Sequence, residues 1–215
     1  MVLGILTSIA ACPAIIGTTE AVRQGQRQNA KEQHRGQKSN MIVQCPASKT
    51  QNVPIHGCPI YLRNHKLYIH IPPKEELEIQ PSPGHPFAGY FLAHPDYQWR
   101  WEGEGLVSTI QDDPPQLNWI YVDKDTYEVK YGNKAESAGQ IMGPWNCTKV
   151  DKRMIFEGWE GFMAVKEDKD RWALYFDKED DGLKEKVKDK RIVEVELVRK
   201  ERRKKKIDAD NKEYR

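Results

Sequence analysis

A chain of 215 residues, 38 % hydrophobic and 31 % charged, suits one ordinary domain with tails or two small ones. Its formal charge of +2 is unevenly spread, with basic ends on a neutral-to-acidic middle. That argues against a basic binding face on the fold and for contact of the ends with an anionic surface. The four cysteines, Cys12, Cys45, Cys58 and Cys147, match no compact disulfide framework and favour a reducing compartment. Asn146-Cys147-Thr148 is a formal glycosylation sequon, a triplet common by chance.

Residues 2–17, VLGILTSIAACPAIIG, carry no charge. As a helix they would span roughly 24 Å, short of the roughly 30 Å hydrocarbon core, and Pro13 would interrupt them. They lack the basic start and clean cleavage site of a secretory signal. Arg23, Arg27, Lys31 and Arg35 then recur every four residues, one basic stripe if the segment 18–40 is helical. An apolar wedge followed by a basic helix predicts a peripheral membrane anchor on anionic lipid, each basic residue adding about 1 kcal/mol. Cys12 is a candidate for acylation. A buried helix of the domain and a cleaved signal are the alternatives.

From 41 to 199 the pattern has period two, with turn signals between runs. A first hairpin is predicted from Ile60-Leu62 to Leu67-Ile71, and a second from Trp119–Val122 to Tyr127–Tyr131. A third runs from Phe162–Val165 to Trp172–Phe176, and a final strand covers Arg191–Val198. Pro-rich stretches at 72–86 and 112–115 separate them, and the unequal spacing suggests no repeat. The expected fold is mainly β, an antiparallel barrel or sandwich built from hairpins, with an N-terminal helical segment. Residues 200–215 read as a basic polar tail. Four segments follow: an apolar anchor at 1–17, a basic helix or linker at 18–40, a β-rich domain at 41–199 and the tail.

Trp99, Trp101, Trp119 and Trp145, with Asp113, are the candidate ligand contacts, as stacking platforms at a barrel mouth; core filling is the competing role. Asp96, Glu102, Glu104, Asp112 and Asp113 are carboxylates near aromatics, and nothing in the pattern pairs them for acid–base work. No metal is expected. There is no HExxH or CxxC, and the loop from Asp177 to Gly182 has Lys188 where a calcium loop needs a bidentate Glu. No cofactor motif is present either. The run Arg199–Lys206 suits a lipid contact, a nuclear signal or a solvated tail; the neutral body disfavours nucleic acid.

The stretches FAGYFLAHPDYQWRWEGEGLVSTIQDDPPQLNWIYVDKDTYEVKYG (87–132), GPWNCT (143–148), EGWEGFMAVKEDKDRWALYFDKEDDGL (157–183) and CPAIIGTTEAVRQGQRQNAKEQHRGQKSN (12–40) resemble a group of short proteins of filamentous ascomycete fungi. The resemblance implies a fungal source and an accessory role in a lineage-specific pathway, and it carries over no site residues. The expectation is a non-catalytic binding or adaptor protein on the cytoplasmic face of a membrane, with a protein partner as a further option. The alternative is a ligand carrier or accessory enzyme of fungal metabolism with a site in the barrel mouth. The nucleus and the secretory pathway are the other locations the sequence leaves open.

Overall fold

The structure, a computed structural model, describes residues 35–46, 53–72, 84–99, 102–168 and 171–201. The chain divides into two units, Met1–Gln37 and Lys38–Arg215. In the first unit only Arg35, Gly36 and Gln37 are described, so the expected anchor and most of the basic helix lie outside the described residues. The tail from 202 onward does too. No helix among the described residues is long and apolar enough to cross a membrane.

The second unit is antiparallel β-structure with a threefold plan. The first set of strands is β1 (Ser39–Gln44), β2 (Ile60–Arg63), β3 (Lys66–Ile69), β4 (His85–Pro86) and β5 (Gly89–Leu92). The second is β6 (Gly105–Asp112), β7 (Pro115–Val122), β8 (Val129–Gly132) and β9 (Trp145–Cys147), with a one-turn helix α1 (Lys134–Ser137) between the last two. The third is β10 (Met154–Phe156), β11 (Phe162–Lys166), β12 (Trp172–Phe176), β13 (Ile192–Glu194) and β14 (Glu196–Glu201).

Six of these close into a barrel. β1 pairs with β5, β5 with β6, and β6 meets β9 through a bridge between Glu104 and Trp145. β9 pairs with β10, β10 meets β14 through Arg153 and Val198, and β14 returns to β1 with Ser39 opposite Glu201. Three of these seams are ladders, β14–β1, β5–β6 and β9–β10, and three are single-residue contacts, so the ring is nearly closed.

The other strands make three hairpins, β2–β3, β7–β8 and β11–β12, and these are the three legible in the sequence. Their return strands meet one another. Lys66 lies opposite Lys130, Ile69 opposite Trp172, and Glu128 bridges to Tyr175. The result is a triangular cap on the barrel. In each set the fourth strand is interrupted. Its first part pairs back onto the second strand: β4 on β2, Ile141 on Val122, β13 on β11.

This threefold pattern corrects the expectation of no repeat. The hairpins start at 60, 115 and 162 because loops of unequal length separate equivalent strands. Local chemistry explains the tight turn of the first hairpin. Asn64 and His65 both take positive φ, 49° and 62°, the conformation of a two-residue turn that follows the twist of the strands. Large apolar side chains fill the interior. The Trp145 ring lies 4.5 Å from Phe156 and 6.0 Å from Phe162, and Phe176 lies 4.8 Å from Phe156. β1 starts two residues before the domain boundary read at 41, and β14 runs two past 199.

Candidate functional site

The connection from β5 to β6, residues 93–104, carries the most unusual surface. His94 lies beneath it with 8 % of its surface exposed, while Tyr97 is 40 % exposed. The His94 imidazole packs 4.6 Å from Trp119 of β7, 4.8 Å from Tyr97 and 6.2 Å from Trp99, measured between ring centres. Tyr97 and Trp99 stack nearly parallel, 7° apart at 5.2 Å. Four rings thus form one aromatic shelf, with Tyr97 outermost.

Two glycines make room for the indoles. A Cβ on Gly105 would stand 2.6 Å from the Trp119 ring. One on Gly143, whose φ is 156°, would meet the Trp99 ring at 3.2 Å. The rim of the shelf is polar. Asn133 caps α1, its side-chain oxygen accepting from the N–H groups of Ala135 and Glu136, while the Glu136 carboxylate accepts from the Asn133 N–H. The cap fixes the first turn, where Lys134 Nζ sits 3.0 Å from the Asp96 carboxylate. Both partners are more than half exposed, so the pair adds little stability and offers a donor and an acceptor to a ligand. His94 Nδ1 accepts a hydrogen bond from the Asp96 N–H at 3.1 Å, which places the ring proton of the neutral imidazole on Nε2. Burial pulls the His94 pKa below its usual value; nearby Asp96 opposes this and Lys134 assists it.

The proposed ligand residues separate into three groups. Trp99 and Trp119 come together on the shelf. Trp145 is 1 % exposed in the barrel core, its Nε1 donating to the Ile120 carbonyl at 3.2 Å, so it offers no face to a ligand. Asp113 lies in the exposed β6–β7 turn, where Gln111 donates to its carbonyl at 2.7 Å. Four residues of strand, about 13 Å, separate that turn from Trp119. Trp101 lies outside the described residues, as do Cys12, Arg23, Arg27 and Lys31; Arg35 is half-buried. His94 and Tyr97 escaped the sequence reading. Their signal is an aromatic series, His94, Tyr97, Trp99, in a segment without strand periodicity, which marks a loop carrying rings for something other than a sheet.

A second polar assembly lies where the three hairpins meet. Lys66 Nζ bonds Glu128 at 2.6 Å and Glu167 at 3.0 Å. Tyr68 and Tyr175 donate to Glu167 and Glu128. Lys130 reaches Asp123 at 2.8 Å and Glu128 at 3.2 Å. Burial alone would raise Asp123, but Lys130 and the N–H groups of Thr126 and Asp125 hold its pKa at about 2. Glu128 is likewise lowered against burial, chiefly by Lys66. Each of these groups is spent on a neighbour, which identifies the assembly as a lock on the cap. The loop once comparable to a calcium site has a similar internal purpose. The Asp177 carboxylate accepts from the N–H groups of Asp181, Gly182 and Leu183.

A model of the fungal beta-trefoil domain matches residues 17–203. The chain belongs to that family. Its barrel of six strands capped by three hairpins agrees with the family's name, and the match takes in the basic segment as well as the domain. No curated protein and no solved structure matches the chain.

Proposed function

We propose that this fungal beta-trefoil protein is a non-catalytic binding protein whose aromatic shelf takes a neutral, polyhydroxylated ring, a carbohydrate. The observation that carries the reading is the stacked pair at the edge of the barrel, Tyr97 exposed and Trp99 half-buried, flanked by Asp96 and Lys134. A pyranose stacks its C–H face on such rings, and its hydroxyls both donate and accept, matching a carboxylate beside an ammonium. A charged ligand would have to break the Asp96–Lys134 pair. The carboxylates that an enzyme would need together are dispersed: Asp113 lies in the distant turn and Asp96 faces Lys134.

Titration with tetrasaccharides of glucose, galactose, mannose and N-acetylglucosamine tests the reading by calorimetry or by tryptophan fluorescence. For an open shelf, the expected dissociation constant is about 0.1–1 mM. Trp99→Ala should weaken binding roughly tenfold, the loss of one stacking ring. Saturation by none of the four sugars, or binding indifferent to Trp99→Ala, would overturn it.

Attachment to a membrane is a second element of the proposal, favoured by the pairing of β1 with β14. The chain enters the barrel at Ser39 beside Glu201, where it leaves. In the sequence Arg23, Arg27, Lys31 and Arg35 lead into that point and Arg202–Lys206 lead out of it, while Arg199 is buried against Ser39; basic residues on both sides of one point suit contact with one anionic surface at the cytoplasmic face. Full-length protein should sediment with anionic but not neutral vesicles, and Arg23→Glu with Arg27→Glu and Lys31→Glu should abolish this. Equal sedimentation of both proteins would remove the lipid from the function.

A further inference from the structure

The imidazole under the shelf has an arrangement that the binding reading does not use. His94 joins the loop to the barrel in two ways at once. Its ring is the floor against which Tyr97, Trp99 and Trp119 pack, and its Nδ1 accepts the Asp96 N–H that sets the turn leading into Tyr97. The acceptor exists only in the neutral ring.

We propose that His94 is an acid-operated latch: protonation of Nδ1 releases the loop 94–99 and takes the shelf apart. In the protonated ring an N–H would point at the Asp96 N–H, donor against donor, so the turn must rearrange. Among the described residues, the charged groups acting on His94 are Asp96 of its own loop and Lys134 of α1; Trp119 on β7 brings no charge. In the neutral state Asp96 is engaged by Lys134 at 3.0 Å. On protonation the imidazolium competes with Lys134 for that carboxylate, and the exchange draws Asp96 away from the rim. Both events act in one direction. The neutral ring holds a formed shelf and the cation an open one. Burial adds to this by disfavouring the cation, so the latch opens below the ordinary histidine range.

The inference rests on the shelf being the binding site, and the test separates the two. Acrylamide quenching of tryptophan fluorescence in the full-length protein reports the shelf without any sugar. Between about pH 7.5 and about pH 4.5 quenching should rise roughly twofold in one protonation step. His94→Asn, whose amide oxygen can replace Nδ1 as acceptor but cannot be protonated, should abolish the step. Proton–nitrogen spectra of the wild-type imidazole should show the Nε2–H form giving way to the cation at the same midpoint, an assay independent of how well the variant folds. Affinity for the tetrasaccharides should fall at least about tenfold over the same range. A flat quenching profile, a step that survives in His94→Asn, or a His94 that titrates with no change in the shelf would each overturn the latch. A step lost in His94→Asn without sugar binding at any pH would support the latch and overturn the carbohydrate reading.

Discussion

The hairpin cap and the aromatic shelf use polar groups in opposite ways. At the cap, Asp123, Glu128 and Glu167 meet Lys66 and Lys130, and each charge is answered inside the protein. At the shelf the Lys134–Asp96 ion pair lies open to solvent and the rings end in an exposed tyrosine. The cap joins all three sets of strands. The shelf belongs to one junction: the connection 93–104 is about twice as long as its counterpart at 148–153, and at the third junction the chain enters and leaves. A pseudo-symmetric scaffold thus keeps its shared centre for stability and spends its asymmetry on one elongated loop.

The largest expected effect is at the cap. Glu128→Ala would leave Lys66 with one carboxylate fewer and remove the acceptor of Tyr175, at a cost of about 3 kcal/mol read by denaturant unfolding. Sugar binding by the folded fraction should be unchanged. Gly105→Ala comes next and joins the two regions, because its methyl collides with Trp119: about 1–3 kcal/mol of stability, together with loss of binding. Acid unfolding separates them further. Asp123 and Glu128 have folded pKa values below their unfolded ones, so the unfolded chain binds more protons in acid. Their contribution is present above about pH 4.5 and is lost as pH falls toward 2; discounted for solvent screening, Asp123 accounts for about 1 kcal/mol of it. Urea midpoints across that window check this, and Lys130→Met should flatten the slope. The smallest effect on stability is at the rim, where Lys134→Ala should cost under about 0.5 kcal/mol while weakening sugar binding. A loss of stability at Lys134 as large as at Glu128 would erase the distinction between the two regions.

The hairpins were legible because each is local. Val129 and Tyr131 alternate with Lys130, and Asn64-His65 carries its own turn chemistry. The threefold plan was not, since it depends on pairings such as Glu104 with Trp145 that no local pattern encodes. The site was half legible for the same reason. Trp99 and Trp119 stand out as tryptophans, yet nothing local tells them from Trp145, whose burial follows from where β9 passes through the barrel. His94 was invisible as a site residue because its importance comes from three rings contributed by two elements.

The seam between β1 and β14 also governs how the protein is born. Arg199 donates to the Ser39 hydroxyl across 160 residues of sequence, and the two strands pair along their whole length. During synthesis β1 is among the first strands to emerge, and its partner is the last of those described. The barrel therefore cannot close until β14 has emerged, and until then β1 has an open edge. So late a closure makes folding slow and the waiting strand a natural client for a chaperone.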